Sequence, residues 1–563
     1  MALPAQFRIC PDTGFKIDLA ADKLIKWNAV TAVIFLLVGG IFGVAVALTR
    51  WPEVHLLPPE WFYLALTAHG LDVLLVWLIF FEMALLYFTS AVLLNSRMAA
   101  PHVAWIGYWL MLGGAVITNI AVLRGESTVM FTSYVPLQAT PDFYLGIILF
   151  AVGALLGCFV FLGTLVVARQ DKTYEGSIPL VTFGALTACI IAIFTIATGA
   201  IILIPTLFWS VGYISHIDSM MYKVVWWAMG HSSQQINVAA HIAVWYALAA
   251  ILFGAKPLSE KVSRFAFLLY ILFLQLASAH HLLVEPGISS EFKIFNTSYA
   301  IYLAVLASMI HGLTVPGAVE AAQRKKGYNK GLFEWLRRAP WGNPIFSGFA
   351  LSIVFFGFLG GISGVMMGTE QLNIITHNTI YVPGHFHATV VTGTTLAFMA
   401  FSYWMVPTLW QRELFLPGLA KWQPYLFGIG MALVSLFMMG AGTLGVPRRH
   451  WDIAFTDAVI SHKFPALAEL MMSLNGIAAL MATVGAVIFL LNIVGTLLWG
   501  KKKSETAAPE PAAAPEPGPV GSYGTAGTLA VPGTFTLAMI FLVAFVLYYF
   551  VNWKYLASVW GLS

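Results

Sequence analysis

Charge is what this chain has least of. Asp, Glu, Lys and Arg make up 10% of its 563 residues, against 59% hydrophobic and 14% aromatic, and the mean hydropathy is +0.83. A soluble chain carries roughly 25% charged residues, so a soluble enzyme, a disordered protein and a nucleic-acid binder are excluded. The net charge of +4 adds little, because membrane proteins collect Lys and Arg on their cytoplasmic loops. Cysteine is scarce as well: Cys10, Cys158 and Cys189 lie far apart, with no CxxC or CxxCH. That excludes a disulfide framework, a thiolate metal site and a c-type haem attachment within the chain. The N-terminus does not read as a signal peptide, since Asp12, Lys16, Asp18, Asp22 and Lys23 precede the first apolar run and no small-residue cleavage site follows a short one.

Long apolar runs take the place of charge. A bilayer span needs about 20 mostly apolar residues. Thirteen such runs are present, near 27–49, 61–94, 102–123, 142–168, 177–209, 223–254, 265–283, 296–320, 344–367, 377–407, 423–445, 466–499 and 534–557. The fold class is therefore an all-α polytopic membrane bundle of twelve core helices plus one further C-terminal helix. Residues 504–533 read as an Ala/Pro/Glu linker too poor in large apolar residues to pack, which divides the chain into a core at 1–503 and a trailing helix at 534–563. With the N-terminus inside, 21 of the 29 Lys and Arg residues fall on inner segments and eight on outer ones. This predicts a prokaryotic inner-membrane protein with a cytoplasmic N-terminus.

Ionisable side chains inside a membrane are costly, and so are functional candidates. The chain holds 14 histidines, and six fall at nearly one depth, in the outer third of the bilayer. His69 lies on helix 2, His231 on helix 6, His280 and His281 near the end of helix 7, and His385 and His387 near the start of helix 10. Imidazole is the commonest protein ligand for haem iron, copper and zinc. Residues i and i+2 project about 200° apart on a helix, so His385 and His387 face different neighbours. His280 and His281 are adjacent and reach one metal only where the helix ends or distorts. With His231 they form a candidate three-histidine site with an open position, as a catalytic metal needs. His241 reads as a structural histidine, and His55, His102, His216, His450 and His462 carry no assignment.

These residues sit in stretches that resemble subunit I of the haem–copper oxidoreductases, most of all the B-type branch. They are TAHG at 67–70, WWAMGH at 226–231, HHLLVEPG at 280–287, HNTIYVPGHFH at 377–387 and VPRR at 446–449. The resemblance implies that His69 and His387 are the axial pair of a low-spin haem b, and that His385 is the single axial ligand of a high-spin haem of b or a type. It implies that His231, His280 and His281 hold a non-haem metal, copper or iron, since three imidazoles accept either. Arg448 and Arg449 resemble the pair that binds haem propionates, with His377 beside them. Phe386 either spaces two macrocycles or simply packs.

One departure bears on function. In oxygen-reducing members GHPxVY or GHPxxY places a tyrosine four residues after the metal histidine, and here that place is held by Gln235. O₂ cleavage takes four electrons in quick succession, one of them supplied by that phenol together with a proton. A carboxamide offers hydrogen bonds alone. Coupling two NO to N₂O and water takes two electrons and two protons. The expected function is therefore nitric oxide reduction, the alternative a B-type cytochrome c oxidase that draws its redox residue from elsewhere. A redox-free transporter with coincidental histidines is a third reading, settled by an optical spectrum.

The resemblance also implies a proton route from the inside through Tyr246, Ser308, His311 and Thr314. Ile242 stands where a second tyrosine belongs and His311 where a threonine does, while Asn373 replaces an Asp before His377, with Glu370 a possible compensation. The electron donor must come from a cupredoxin-like, CuA-type subunit, a cytochrome c or a quinol.

Overall fold

The computed structural model describes residues 6–274, 277–456, 459, 462–503 and 531–559. Twelve helices in it are long and apolar enough to cross a membrane. In chain order, α1 is Leu19–Arg50, α2 Pro59–Val92, α3 Pro101–Leu123, α4 Pro141–Gln170, α5 Leu180–Ser210 and α6 Ser219–Phe253. The next element, α7, is broken: an α-helix at Glu260–Leu269 widens to a π segment at Tyr270–Leu274, and a 3₁₀ stretch runs over Ala277–Leu282. Then come α8 at Ser290–Lys325, α9 at Pro344–Gly368, α10 at Tyr381–Leu409, α11 at Pro417–Thr443, α12 at Ala466–Trp499 and α13 at Pro532–Val559. Each of the thirteen expected runs thus carries helix among its described residues, and the chain is a multi-pass helical bundle. The expected linker lies outside the described residues as far as residue 530.

Helix boundaries follow local chemistry. The Asp18 carboxylate accepts from the Ala21 N–H to cap α1, and Asp218 accepts from Met221 to cap α6. Such caps satisfy amides that a helix start leaves unpaired. Gly254, at φ +65°, ends α6 in the left-handed conformation that glycine takes most readily. One boundary differs from the sequence reading. The run expected from 377 begins as a helix only at Tyr381, because His377 is extended and Asn378 has φ +60°. Thr379 bridges to Pro447 there, and the Ile380 N–H donates to the Val446 carbonyl. The stretch is tied to the loop after α11 rather than to a helix, and Pro383, which lacks an N–H, falls in the first turn where it is tolerated.

The bundle is most enclosed where the histidines are. The central windows of α10 (83% buried), α2 and α6 (both 78%) are the innermost, and α13 (6%) is the outermost. α13 is fastened at its start by Glu320 of α8, whose buried carboxylate accepts the N–H groups of Gly533 (3.0 Å) and Thr534 (2.6 Å). Farther along, Phe541 meets Phe358 of α9 edge-on at 5.1 Å.

Helices in a membrane associate by close packing rather than hydrophobic exclusion, which favours small residues at their seams. The α3–α4 seam is built this way. A Cβ on Gly107 would lie 2.8 Å from the Gly153 carbonyl oxygen, and one on Gly114 would overlap the Gly146 carbonyl and the Phe150 amide. Gly113, one position away, has open space. Gly114→Val is therefore expected to destabilise the bundle by ~1–3 kcal/mol or more and Gly113→Val to leave it unchanged, which thermal unfolding of the two variants in detergent measures.

Candidate redox site

A buried imidazole has two ring nitrogens, and fixing one aims the other. On α2, His69 Nδ1 lies 2.9 Å from the Gly39 carbonyl of α1; on α10, His387 Nδ1 lies 2.7 Å from the Pro383 carbonyl. Both carbonyls accept, so each ring carries its proton on Nδ1 and keeps the Nε2 lone pair for a metal. The two rings face each other with centroids 6.3 Å apart and planes within 16°. Two imidazoles on opposite sides of one metal, each about 2 Å away, put their centroids about 6 Å apart. Space is cleared as well: a Cβ on Gly43 of α1 would lie 2.7 Å from the His69 ring. The pair fits a bis-imidazole haem.

His385 projects away from this pair, as its spacing from His387 requires. Its Nδ1 is 2.9 Å from the Ser363 hydroxyl on α9, and a Cβ on Gly364 would press on its ring at 3.0 Å. A π segment at His387–Thr395 begins directly after Phe386, whose ring stacks on His387 at 5.5 Å. π segments occur often at functional sites because the extra residue re-aims side chains.

The other three histidines meet. Among the described residues, His231, His280 and His281 have ligand atoms within 4.8 Å of one another. His231 Nδ1 is 2.9 Å from His281 Nε2, a separation that suits two ligands of one metal at about 2 Å each. Adjacent His280 and His281 lie where α7 runs out, in a short 3₁₀ stretch that stops at Leu282, and their ring centroids are 4.2 Å apart. Two further contacts hold them. Trp227 of α6 stacks on the His281 ring at 3.6 Å and 7°, and its indole N–H donates to the Tyr134 hydroxyl at 2.5 Å. The Asn373 amide donates to the backbone carbonyls of His280 (3.1 Å) and Met367 (2.6 Å). An ionised carboxylate at position 373 could not donate these bonds, so the amide suits the place. Glu370 is engaged elsewhere, 3.5 Å from Lys293.

The loop after α11 closes over these elements. The Arg448 Nε is buried with no protein acceptor, which suits a side chain awaiting a carboxylate such as a haem propionate. Arg449 donates to the Thr132 hydroxyl (2.7 Å) and lies over the Tyr134 ring, and burial together with the neighbouring Arg448 charge lowers its pKa to about 10. Arg50, at the end of α1, holds the loop by donating to the Arg448 (2.6 Å) and His450 (3.3 Å) carbonyls. His377 Nε2 sits 3.2 Å from Glu285, which pairs with Lys223 at 2.9 Å.

Gln235 is fully enclosed, four residues after His231 on α6, and so one turn along the same helix face. The proton-route residues divide into two groups. The Tyr246 hydroxyl meets Thr314 (2.7 Å), His311 (2.9 Å) and Ser263 (3.0 Å), whereas Ser308 pairs with Tyr270 of α7 at 2.8 Å. Sequence reasoning missed Arg50, Glu285, Trp227, Tyr134, Ser363 and Tyr270. Trp227 and Glu285 lie inside quoted motifs, but nothing in the sequence named their partners.

A multi-pass bundle that aims one facing imidazole pair and one three-imidazole cluster into its interior defines a class, the membrane proteins that hold haem and a second metal. The family model described as "Cytochrome C and Quinol oxidase polypeptide I" matches residues 23–484. The chain belongs to this haem–copper oxidase subunit I family and is an oxidoreductase. It is 30% identical to cytochrome c oxidase subunit 1 of Thermus thermophilus over 511 residues, covering 87% of each chain. It is 23% identical to quinol oxidase subunit 1 of Bacillus subtilis, covering 84% of this chain and 71% of that one. A solved cryo-EM structure of a heme-copper terminal oxidase dimer superposes with a TM-score of 0.82 at 26% identity, covering 94% of this chain and 92% of that one.

The Glu285–His377 contact has a pH signature. Burial works against ionised Glu285, but Lys223 and His377 outweigh it and hold its pKa below the ordinary 4.5. Burial, then the Arg448 charge, lowers His377 below 6.5 although Glu285 opposes them. Both groups are thus kept unprotonated by the fold, so their stabilisation is present at neutral pH and is lost on acidification. Thermal unfolding of the purified protein is expected to be flat above pH ~7 and to fall in two stages, from about 6.5 and from about 4.5. Glu285→Gln is expected to shrink the lower stage, to which Asp142 and Asp452 also contribute.

Proposed function

We propose that the chain is the catalytic subunit of a membrane terminal reductase that couples nitric oxide, 2 NO + 2 e⁻ + 2 H⁺ → N₂O + H₂O. The observation that carries this reading is Gln235, an enclosed amide one turn from His231 in the place of a phenol. His69 and His387 would hold a low-spin haem b, His385 a high-spin haem, and His231, His280 and His281 copper or iron. When bound, these groups supply the two electrons and the positions at which NO is activated. Gln235 donates hydrogen bonds to the nitrogen oxide oxygen, Asn373 fixes the His280 backbone, Trp227 holds the His281 ring in place, and Arg448 and Arg449 take the propionates. Electrons arrive from a CuA-type cupredoxin subunit, a cytochrome c or a quinol. The N-terminus is cytoplasmic and the site lies in the outer third of the membrane.

A second reading, O₂ reduction, is favoured by one contact. Trp227, stacked on His281 and hydrogen-bonded to Tyr134, is an oxidisable side chain able to supply an electron where the tyrosine is missing. The relatives named above are oxidases, which points the same way.

The purified complex, assayed with NO and with O₂ as sole acceptors under one donor, separates the two. The expected result is one N₂O per two NO, with slow O₂ consumption. Rapid O₂ turnover with negligible N₂O would sink the proposal. Gln235→Leu keeps the volume and removes the donor, and is expected to lower NO turnover about tenfold, the equivalent of one lost hydrogen bond. Trp227→Phe keeps a stacked ring and is expected to change NO turnover less than threefold; under the second reading it abolishes O₂ turnover.

A further inference from the structure

Between α6, α7 and α8 lies a group of hydroxyls and one imidazole, all buried except the half-buried Ser308. Tyr246 is hydrogen-bonded to Ser263, His311 and Thr314, Tyr270 is hydrogen-bonded to Ser308, and the two groups meet where the Tyr270 ring stacks on His311. Tyr270, His311 and Ser263 have no exposed surface. Position along the helices orders them. On α8, Thr314, His311 and Ser308 step toward the helix start, covering about 9 Å at 1.5 Å per residue. On α7, Ser263 and Tyr270 step toward His280, and on α6, Tyr246 lies one turn beyond Ile242, on the way back to Gln235 and His231. The group therefore leads from the N-terminal face of the bundle toward the three-histidine cluster.

Ile242 has no hydroxyl, so α6 cannot carry a proton past this level. The Tyr270 hydroxyl reaches Ser308 (2.8 Å), and its ring stacks on His311 with centroids 5.7 Å apart and planes within 23°. His311 bonds Tyr246 through Nδ1 at 2.9 Å, while its Nε2 is buried with no protein partner. Of the uncharged side chains, imidazole alone accepts a proton on one nitrogen while releasing one from the other.

We propose that the proton route crosses at this level from α6 to α7, through His311 to Tyr270, with the Tyr270 hydroxyl doing what Ile242 cannot. Tyr246 passes its proton to His311 Nδ1 and takes another from Thr314. The imidazole releases the proton on Nε2 to the Tyr270 oxygen, through one bridging water, and Tyr270 gives its own proton to Ser308. Thr314 regains its proton from the N-terminal face and Ser308 passes its own on toward the three-histidine cluster, so each group ends with as many protons as it began, and His311 resets by exchanging tautomers. This rests on the reading of the chain as a reductase that draws protons from the N-terminal face. It holds whether the acceptor is NO or O₂.

The test uses the purified complex in liposomes and follows proton uptake with a pH-sensitive dye when the enzyme is reduced without NO or O₂, so the result does not depend on which gas is the substrate. Tyr270→Phe keeps the ring and is expected to slow this uptake at least tenfold, with the optical spectrum and metal content of the wild type. Ile242→Tyr added to Tyr270→Phe returns a hydroxyl to the same level from α6 and is expected to recover most of the rate. Ser308→Ala, which removes the acceptor with little change in volume, is expected to slow uptake as well. Tyr299→Phe, on the exposed face of α8, is the control with unchanged uptake. Wild-type uptake in Tyr270→Phe, or in Ser308→Ala should Tyr270→Phe not assemble, overturns the proposal. So does slowed uptake accompanied by an altered spectrum.

Discussion

A low-dielectric interior tolerates a polar nitrogen only when something bonds to it, and an imidazole brings two. In this chain Gly39, Pro383 and Ser363 each take one nitrogen of a histidine, and the ring is thereby turned so that the other has a single direction left. The geometry of the site follows from this rule. The helices are arranged so that the His69 and His387 rings lie 6.3 Å apart and nearly parallel while His231 and His281 approach to 2.9 Å.

The rule also accounts for the irregular helices. A regular α-helix cannot aim adjacent His280 and His281 at one point, and α7 gives up α-geometry there. In α10 the widening begins at His387, where two histidines must serve two opposite neighbours. The remaining π segments fall at 72–76, 88–92, 270–274, 296–300 and 356–361. Each looser turn weakens helix hydrogen bonding locally, and the tight glycine seams such as that of α3 and α4 supply rigidity elsewhere.

Much of this was legible in the sequence, and the rest was not for a definite reason. Apolar runs set the number of helices because length and hydropathy are local properties. The spacing of His385 and His387, and the adjacency of His280 and His281, dictated directions because helix geometry is local too. What stayed hidden were partners. The Gly39 carbonyl, 30 residues from His69, and Ser363, 22 from His385, have no pattern that announces them. Tyr270 sits in an apolar run, and the partner of its hydroxyl, Ser308, is 38 residues away. The late start of α10 has the same origin: 377–380 is tied across space to 446–448, and no window of sequence contains both.

Arg50 gives that distance a temporal meaning. It ends the first membrane helix, yet its guanidinium is anchored to carbonyls 398 and 400 residues farther on. As the chain is made, nearly the whole bundle must be threaded before the first helix finds the loop it secures. Contacts of such separation form late, since the entropy of closing so long a segment is paid before the contact returns anything. The loop that carries Arg448 and Arg449 thus stays unsecured through most of synthesis.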